Sequence, residues 1–501
     1  MPDVPHVQEI PYTDPLAAFT PCAADPFAIF LDSSLTADHR GRYSFIAADP
    51  ILTLTSQNGH IRLGGQTFTG DPFAVLREQL AQYPLAPLPD LPPFQTGVAG
   101  YFGYDLCHHL ERLPAPRHDD RLFPDLSLGF YDVVMAFDHH QQRAWIFSSG
   151  YPEREAARTT RAQARTKYFQ SRITRSHAPT PLRFASRAVV SNLLSPTSDL
   201  RPPAALPASN FTRPAYEAAV QRVIDYIYAG DIYQANLSQR LQAALPDGDS
   251  PFALYQRLRR LNPAPCAAYL NFGEVVIASA SPERFLQLRE GWVETRPIKG
   301  TRPRGATPAE DDALARELLA SEKDRAENVM IVDLLRNDLS RVCRDHSVTV
   351  PELCALESYA TVHHLVSTVV GQLNPGASAV DLLRAAFPGG SVTGAPKIRA
   401  MEMIAELEPT RRGPYCGSVG YISFAGEMDT SITIRTYAIK NNLVTFQVGG
   451  GIVADSDPAM EYEETLTKAK ALLAALEPQT SEVLETSEVL PEGWDTDREA
   501  H

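Results

Sequence analysis

Three absences bound what this chain can be. No apolar run approaches the roughly 20 residues that a bilayer-spanning helix needs. The six cysteines, Cys22, Cys107, Cys266, Cys343, Cys354 and Cys416, include no Cys-x-x-Cys pair. They read as reduced, small buried hydrophobes rather than a metal or disulfide framework. Positive charge is in deficit, because 46 Lys and Arg face 60 Asp and Glu and leave a net charge of −14. That balance disfavours nucleic acid as a partner, and an anionic ligand would need a local basic pocket.

Two further patterns fail on inspection. The N-terminal stretch MPDVPHVQEIPYTDP has no basic segment leading into an apolar one, so no signal peptide is expected and a cytoplasmic location is. In FPGGSVTGAPK (387–397), Gly389 and Gly394 have phosphate-loop spacing, but Ala395 and Pro396 stand where that motif needs Lys and Ser/Thr. The stretch reads as a glycine-rich turn entering a helix, IRAMEMIAEL.

What is present is globular: 501 residues, 44% hydrophobic and 9% aromatic, a length that favours more than one ordinary core. Residues 10–150 read as β-rich, with RYSFIAAD (42–49), GVAGYFGYDL (97–106) and YDVVMAFD (131–138) as strand signals. The segment 151–211 combines a charged helix with a Pro/Ser-rich linker at 178–210, whose composition cannot build a core. From Thr212, a cap residue followed by an early proline, strands and helices alternate to about 477. There CGSVGYISF (416–424), TSITIRTYAI (430–439) and LVTFQVGGGIVA (443–454) predict an antiparallel meander. Helices are expected from Ser321 and from Asp457-Pro458. The acidic tail 478–501, with its TSEVLETSEVL duplication, reads as disordered. The expected fold class is α+β, with two large antiparallel β-sheets packed as a sandwich and helices on the outside.

Several side chains in the second region have chemistry to account for. Glu461, Glu464 and Lys468 lie at i, i+3 and i+7 and share one helix face that continues into Leu472. An exposed Glu464–Lys468 pair would explain them, and so would a site. Asp324 fits a capping box with Ser321, whereas Glu327 shares its face with Ile331 and Leu334, and a carboxylate so placed needs a partner. Clustered carboxylates from two helices would suit a hard cation such as Mg²⁺. Arg435, inside TSITIRTYAI, either faces an edge or pairs with a carboxylate of the protein or a ligand. Gly449, Gly450 and Gly451 remove three side chains in a row, as a β-bulge or a close-approaching ligand would require.

Lys299 stands in RPIKGTRPRG (296–305), beside Arg296, Arg302 and Arg304. A lysine is ordinarily solvated. Here a Pro/Gly-fixed turn, neighbouring cations and partial burial would depress its pKa, and a neutral amine is a nucleophile. Glu283, just past the end of the strand in VVIASASPERFL, is positioned as an acid for displacement at an activated carbon.

SPERFL, PIKGTRPRG, EN-x-MIVDLLRNDL, HHLVS, PGGSVTGAPK, RRGPYCGSVGY–SITIRT and EYEETLTKAKA together resemble the chorismate-utilising enzymes, in that family's order, across 212–477. The 10–150 region resembles the family's N-terminal region, including GRYSFIAADP and PFQTGVAGYFGYDL. Family members that make anthranilate usually read PIAGT at this turn. PIKGT resembles the aminodeoxychorismate synthase branch. The resemblance implies that Lys299 attacks C2 of chorismate and Glu283 protonates the departing C4 hydroxyl. Ammonia then adds at C4, giving 4-amino-4-deoxychorismate for p-aminobenzoate and folate synthesis. It further implies Mg²⁺ on Glu327, Glu461 and Glu464, with Asp324 outside them and Gly300 and Thr301 near the ring carboxylate. Arg435, Tyr415, Lys468 and the Gly449–Gly451 backbone would hold the enolpyruvyl carboxylate, and His364 would line the ring.

No cysteine sits in a glutaminase motif, so ammonia would come from solution or from a separate glutamine amidotransferase subunit. The alternative within the family is anthranilate formation for tryptophan synthesis. Relatives of that kind carry a tryptophan pocket whose counterparts here are Leu31-Asp-Ser-Ser34 and NPAPCAAYL (262–270), with Cys266 where a Tyr is usual.

Overall fold

The structure is a computed structural model that describes residues 3–35, 41–115, 118–174, 207–359 and 362–477. Most of the predicted linker and the acidic tail from 478 lie outside the described residues.

Two 12-stranded sheets, antiparallel throughout, form the body. In the first, Ala28–Asp32 lies beside Cys266–Asn271, followed by Val275–Ser281, Thr436–Lys440, Leu443–Ile452 and Gln234–Ala244. In the second, Ile298–Pro303 lies beside Val362–Gln372; Met428–Ile432 and Ser418–Ser423 then lead to Gly97–Phe102. Each sheet thus draws strands from both the 10–150 and the 212–477 regions.

Side-chain alternation explains the layering. On Ala28–Asp32, Ile29 joins the cluster between the sheets, with Tyr101, Val419 and Tyr421, while Phe30 joins the cluster under the outer helices. Leu270 and Ile277 likewise point inward, and Tyr269 and Ala278 outward. This period of two lets one strand feed two cores. The helices Glu155–Thr174, Pro251–Leu261 and Pro458–Leu476 cover the outer face of the first sheet. Glu322–Ser340 and Ala379–Ala386 cover that of the second. The expected sandwich with helices outside is the fold observed. Among the described residues no helix is long and apolar enough to cross a membrane.

Helix starts fall where local chemistry placed them. The Ser321 hydroxyl accepts from Asp324 N–H at 3.2 Å, and Asp457 caps Pro458–Leu476 by accepting from Met460 N–H at 2.9 Å.

The predicted meander needs correction. Ser418–Ser423 pairs with Met428–Ile432, and Thr436–Lys440 pairs with Leu443–Ile452, but the two hairpins belong to different sheets. TSITIRTYAI is two strands, broken at 433–435, where the chain crosses from one sheet to the other. Arg435 occupies the crossing with φ +50°, a left-handed conformation uncommon for a residue with a side chain.

Candidate functional site

The crossing sets the position of Arg435. It is half-buried, and burial lowers its pKa with no compensating carboxylate among the described residues. Burying a guanidinium without an anion is costly, so this side chain has capacity for an anionic ligand.

Lys299 does not lie in a turn, as its prolines and glycines implied, but on the strand Ile298–Pro303. The register slips between Lys299 and Thr301, and Gly300 takes φ +80°. A Cβ there would stand 3.0 Å from Asp324 Cγ and 2.9 Å from Leu318, so only glycine admits both the bulge and the helix behind it. Past the bulge, Lys299 Nζ lies 3.5 Å from the Ser391 carbonyl oxygen. Burial depresses the Lys299 pKa; Glu327 opposes this and Lys468 adds to it. Of the two causes expected from the sequence, burial acts here, while the neighbouring arginines are turned elsewhere. Arg302 pairs with Glu317 at 2.8 Å, Arg304 with Asp311 at 2.5 Å, and Arg296 with Glu357.

Glu283 sits at the end of Val275–Ser281, buried to 6% exposure. Burial pushes its carboxyl up to about 7, although the Ser391 hydroxyl, Lys299 and the Ile298 N–H each favour its charged form. A carboxyl with a raised pKa and a lysine with a lowered one therefore interact within one site.

The glycines of Leu443–Ile452 open this space to the last helix. A Cβ on Gly450 would lie 3.0 Å from Glu461 Oε2, 3.5 Å from Glu464 Oε1 and 3.7 Å from Lys468 Nζ. One on Gly451 would overlap the Gln234 amide and come within 3.5 Å of Lys299 Nζ. Lys468 donates to Gly449 O at 2.9 Å and pairs with Glu464 at 2.6 Å. Glu461 accepts from the Ser456 hydroxyl at 2.6 Å.

Burial raises both Glu327 and Glu461, and Glu464 adds to each; burial also acts on Glu464, but Lys468 outweighs it and lowers that pKa. The two helices that sequence alone left unconnected thus present their carboxylates to a common region. Among the described residues no group of three His, Cys, Asp or Glu side chains stands close enough together to hold a metal ion. The donor chemistry nevertheless fits a hard divalent ion: the donors are all carboxylate oxygens, and two of them are held toward protonation by burial that a cation would offset.

His364 pairs across the strands with Thr301, and its Nδ1 lies 2.9 Å from Thr301 Oγ1. Tyr415 is buried beside Arg412, whose guanidinium lies 5.7 Å from its ring centroid.

Sequence reasoning missed Gln234 and Ser391. Gln234 is 2% exposed, and its Oε1 has no hydrogen-bond partner among the described residues. Neither stood out, because each gains its meaning from residues far away in the chain.

On the opposite side of the 282–284 and 296–298 segments lies a separate cavity of about 430 Å³. Asp32, Ser33, Pro265, Cys266, Arg296 and Ile298 are among its lining residues. The stretches matched to the relatives' tryptophan pocket thus share one cavity wall.

Comparison with known proteins agrees with this architecture. Residues 29–474 match the chorismate binding enzyme family. Aminodeoxychorismate synthase component 1 of Salmonella typhimurium is 43% identical over 464 residues, covering 92% of this chain and 95% of that one. Anthranilate synthase component 1 of Thermus thermophilus is also 43% identical, over 465 residues, with the same coverage. The crystal structure of anthranilate synthase component I from Streptococcus pneumoniae superposes with a TM-score of 0.73 at 33% identity, covering 88% of this chain and 95% of that one. The chain belongs to the chorismate binding enzyme family, as an enzyme of the aminodeoxychorismate and anthranilate synthase type.

Proposed function

We propose that this enzyme aminates chorismate at C4 to give 4-amino-4-deoxychorismate, using a covalent intermediate on Lys299. The observation that carries this reading is the Lys299–Glu283 pair, a half-buried amine whose pKa is lowered by burial, interacting with a buried acid whose pKa burial raises to about 7. Overall identity does not separate the two activities, because relatives with either name match at 43%. The lysine does.

In the first half-reaction the Lys299 amine forms a bond to C2. The ring double bond shifts, the C4–O bond breaks, and Glu283 gives its proton to the departing oxygen, which leaves as water. In the second, ammonia bonds to C4 while the C2–N bond to Lys299 breaks. The extra proton on the new ammonium returns to Glu283, so chorismate and ammonia give product and water with both groups restored.

Arg435, Lys468 and the Gly449–Gly451 backbone bind the enolpyruvyl carboxylate beside Tyr415, and Thr301 with His364 flanks the ring. Glu327, Glu461 and Glu464 would hold Mg²⁺, with Asp324 outside them. When bound, the ion would supply charge neutralisation for the ring carboxylate near Gly300 and Thr301. Ammonia is supplied by a separate glutamine amidotransferase subunit, consistent with the component 1 designation of the relatives. The product would feed p-aminobenzoate and folate synthesis.

Incubation with chorismate, Mg²⁺ and ammonium tests the reading. Aminodeoxychorismate is expected, converted to p-aminobenzoate only when a lyase is added. Fluorescent anthranilate formed without a lyase would support the second reading, which rests on the equal identity to anthranilate synthases.

A further inference from the structure

The loop 387–397 carries none of the groups assigned above, yet it is fastened at both ends. Lys397 Nζ donates to Asp338 at 2.6 Å, to Ala386 O at 2.8 Å and to Pro388 O at 3.0 Å. At its middle Arg412, held by Glu408 at 2.7 Å, donates to Val392 O at 2.9 Å. Inside the loop, the Thr393 hydroxyl donates to Gly389 O at 3.0 Å. The loop also packs tightly, since a Cβ on Gly390 would stand 2.7 Å from Leu334 Cδ2 on the helix that carries Glu327. Two buried cations on backbone carbonyls are costly to arrange unless the loop conformation matters.

What the fastening fixes is Ser391. Its carbonyl oxygen accepts from Lys299 Nζ at 3.5 Å, and its hydroxyl favours the charged form of the Glu283 carboxyl, so one residue acts on both reacting groups. Glu283 lies where the chain passes from Val275–Ser281 of the first sheet to Arg284–Arg289 of the second, and Lys299 lies on another strand of the second. Two strands, Trp292–Thr295 and Val362–Gln372, stand between Arg284–Arg289 and the strand of Lys299. We propose that Ser391, clamped by Lys397–Asp338 and Arg412–Glu408, is a positioning residue that holds the Glu283 acid in register with the Lys299 amine.

This inference rests on the proposed roles of Glu283 and Lys299, and the test separates the two. The ionisable groups facing Glu283 are Lys299, Cys266 and Cys416. Burial pushes both thiols up to about 12, so neither supplies a limb near neutrality. The pH profile of kcat with chorismate and saturating ammonium is measured for the wild type, Ser391→Ala, Ser391→Thr and Lys299→Ala.

Ser391→Ala is expected to lose about tenfold or more in kcat while KM for chorismate changes less than about twofold. Its falling limb should move to higher pH, because a donor to the carboxylate has been removed. Ser391→Thr should restore both. Wild-type kcat with an unmoved limb in Ser391→Ala, or equal damage in Ser391→Thr, overturns the positioning role even if Lys299→Ala is inactive. Full activity in Lys299→Ala overturns the reading beneath it.

Discussion

The Glu461 carboxylate lies against Gly450: a Cβ placed on that glycine would stand 3.0 Å from Oε2. The neighbouring Gly449 is glycine for another reason, since a Cβ there would overlap the Leu237 carbonyl of the paired strand. The two substitutions should therefore separate. Gly450→Ala is expected to lower kcat/KM tenfold or more with an almost unchanged melting temperature. Gly449→Ala should destabilise the fold by about 2 kcal/mol or more. Thermal melts alongside chorismate kinetics check both.

Arg435 and Arg412 make a second contrast. Arg412 is 1% exposed and bonded to Glu408, and breaking such a pair costs about 3–5 kcal/mol. Among the described residues Arg435 has no carboxylate to abandon. Arg435→Gln should leave the melting temperature unchanged or higher while raising KM for chorismate by about tenfold or more, whereas Arg412→Gln should melt markedly earlier.

Much of this was legible in the sequence where the determinants are local. Ser321 and Asp457 cap helices through bonds within three residues, and the Glu461–Glu464–Lys468 stripe follows from helical spacing. The sheet crossing was not legible, because apolar alternation continues through TSITIRTYAI and nothing in it marks a change of sheet. Counting cations around Lys299 misled for a related reason. Charge in sequence does not reveal pairing, and the three arginines spend theirs on Glu357, Glu317 and Asp311. Gln234 and Ser391 acquire roles only from strands and loops that fold back on them.

The raised pKa of Glu283 carries a stability consequence. Its folded value of about 7 exceeds the ordinary 4.5, so the folded state holds the proton more tightly than the unfolded one. Stability is then lost as pH rises from about 4.5 through 7 and levels off above. Glu283→Gln removes this dependence, so its melting temperature should gain on the wild type across that window. In activity, kcat of the wild type should fall above about pH 7 as the acid ionises.

Mg²⁺ binding has a readout that does not need turnover. If Glu327, Glu461 and Glu464 hold the ion, millimolar Mg²⁺ should raise the melting temperature of the wild type without substrate. Glu461→Gln should lose that shift. An identical shift in the variant would remove Glu461 from the ligand set.

The most direct test of the account is mass spectrometry of enzyme quenched during turnover with chorismate, Mg²⁺ and ammonium. The account predicts a chorismate-derived adduct on the peptide carrying Lys299, absent from Lys299→Ala, together with loss of most aminodeoxychorismate formation in that variant. No adduct in the wild type, with Lys299→Ala forming product at the wild-type rate, would contradict it.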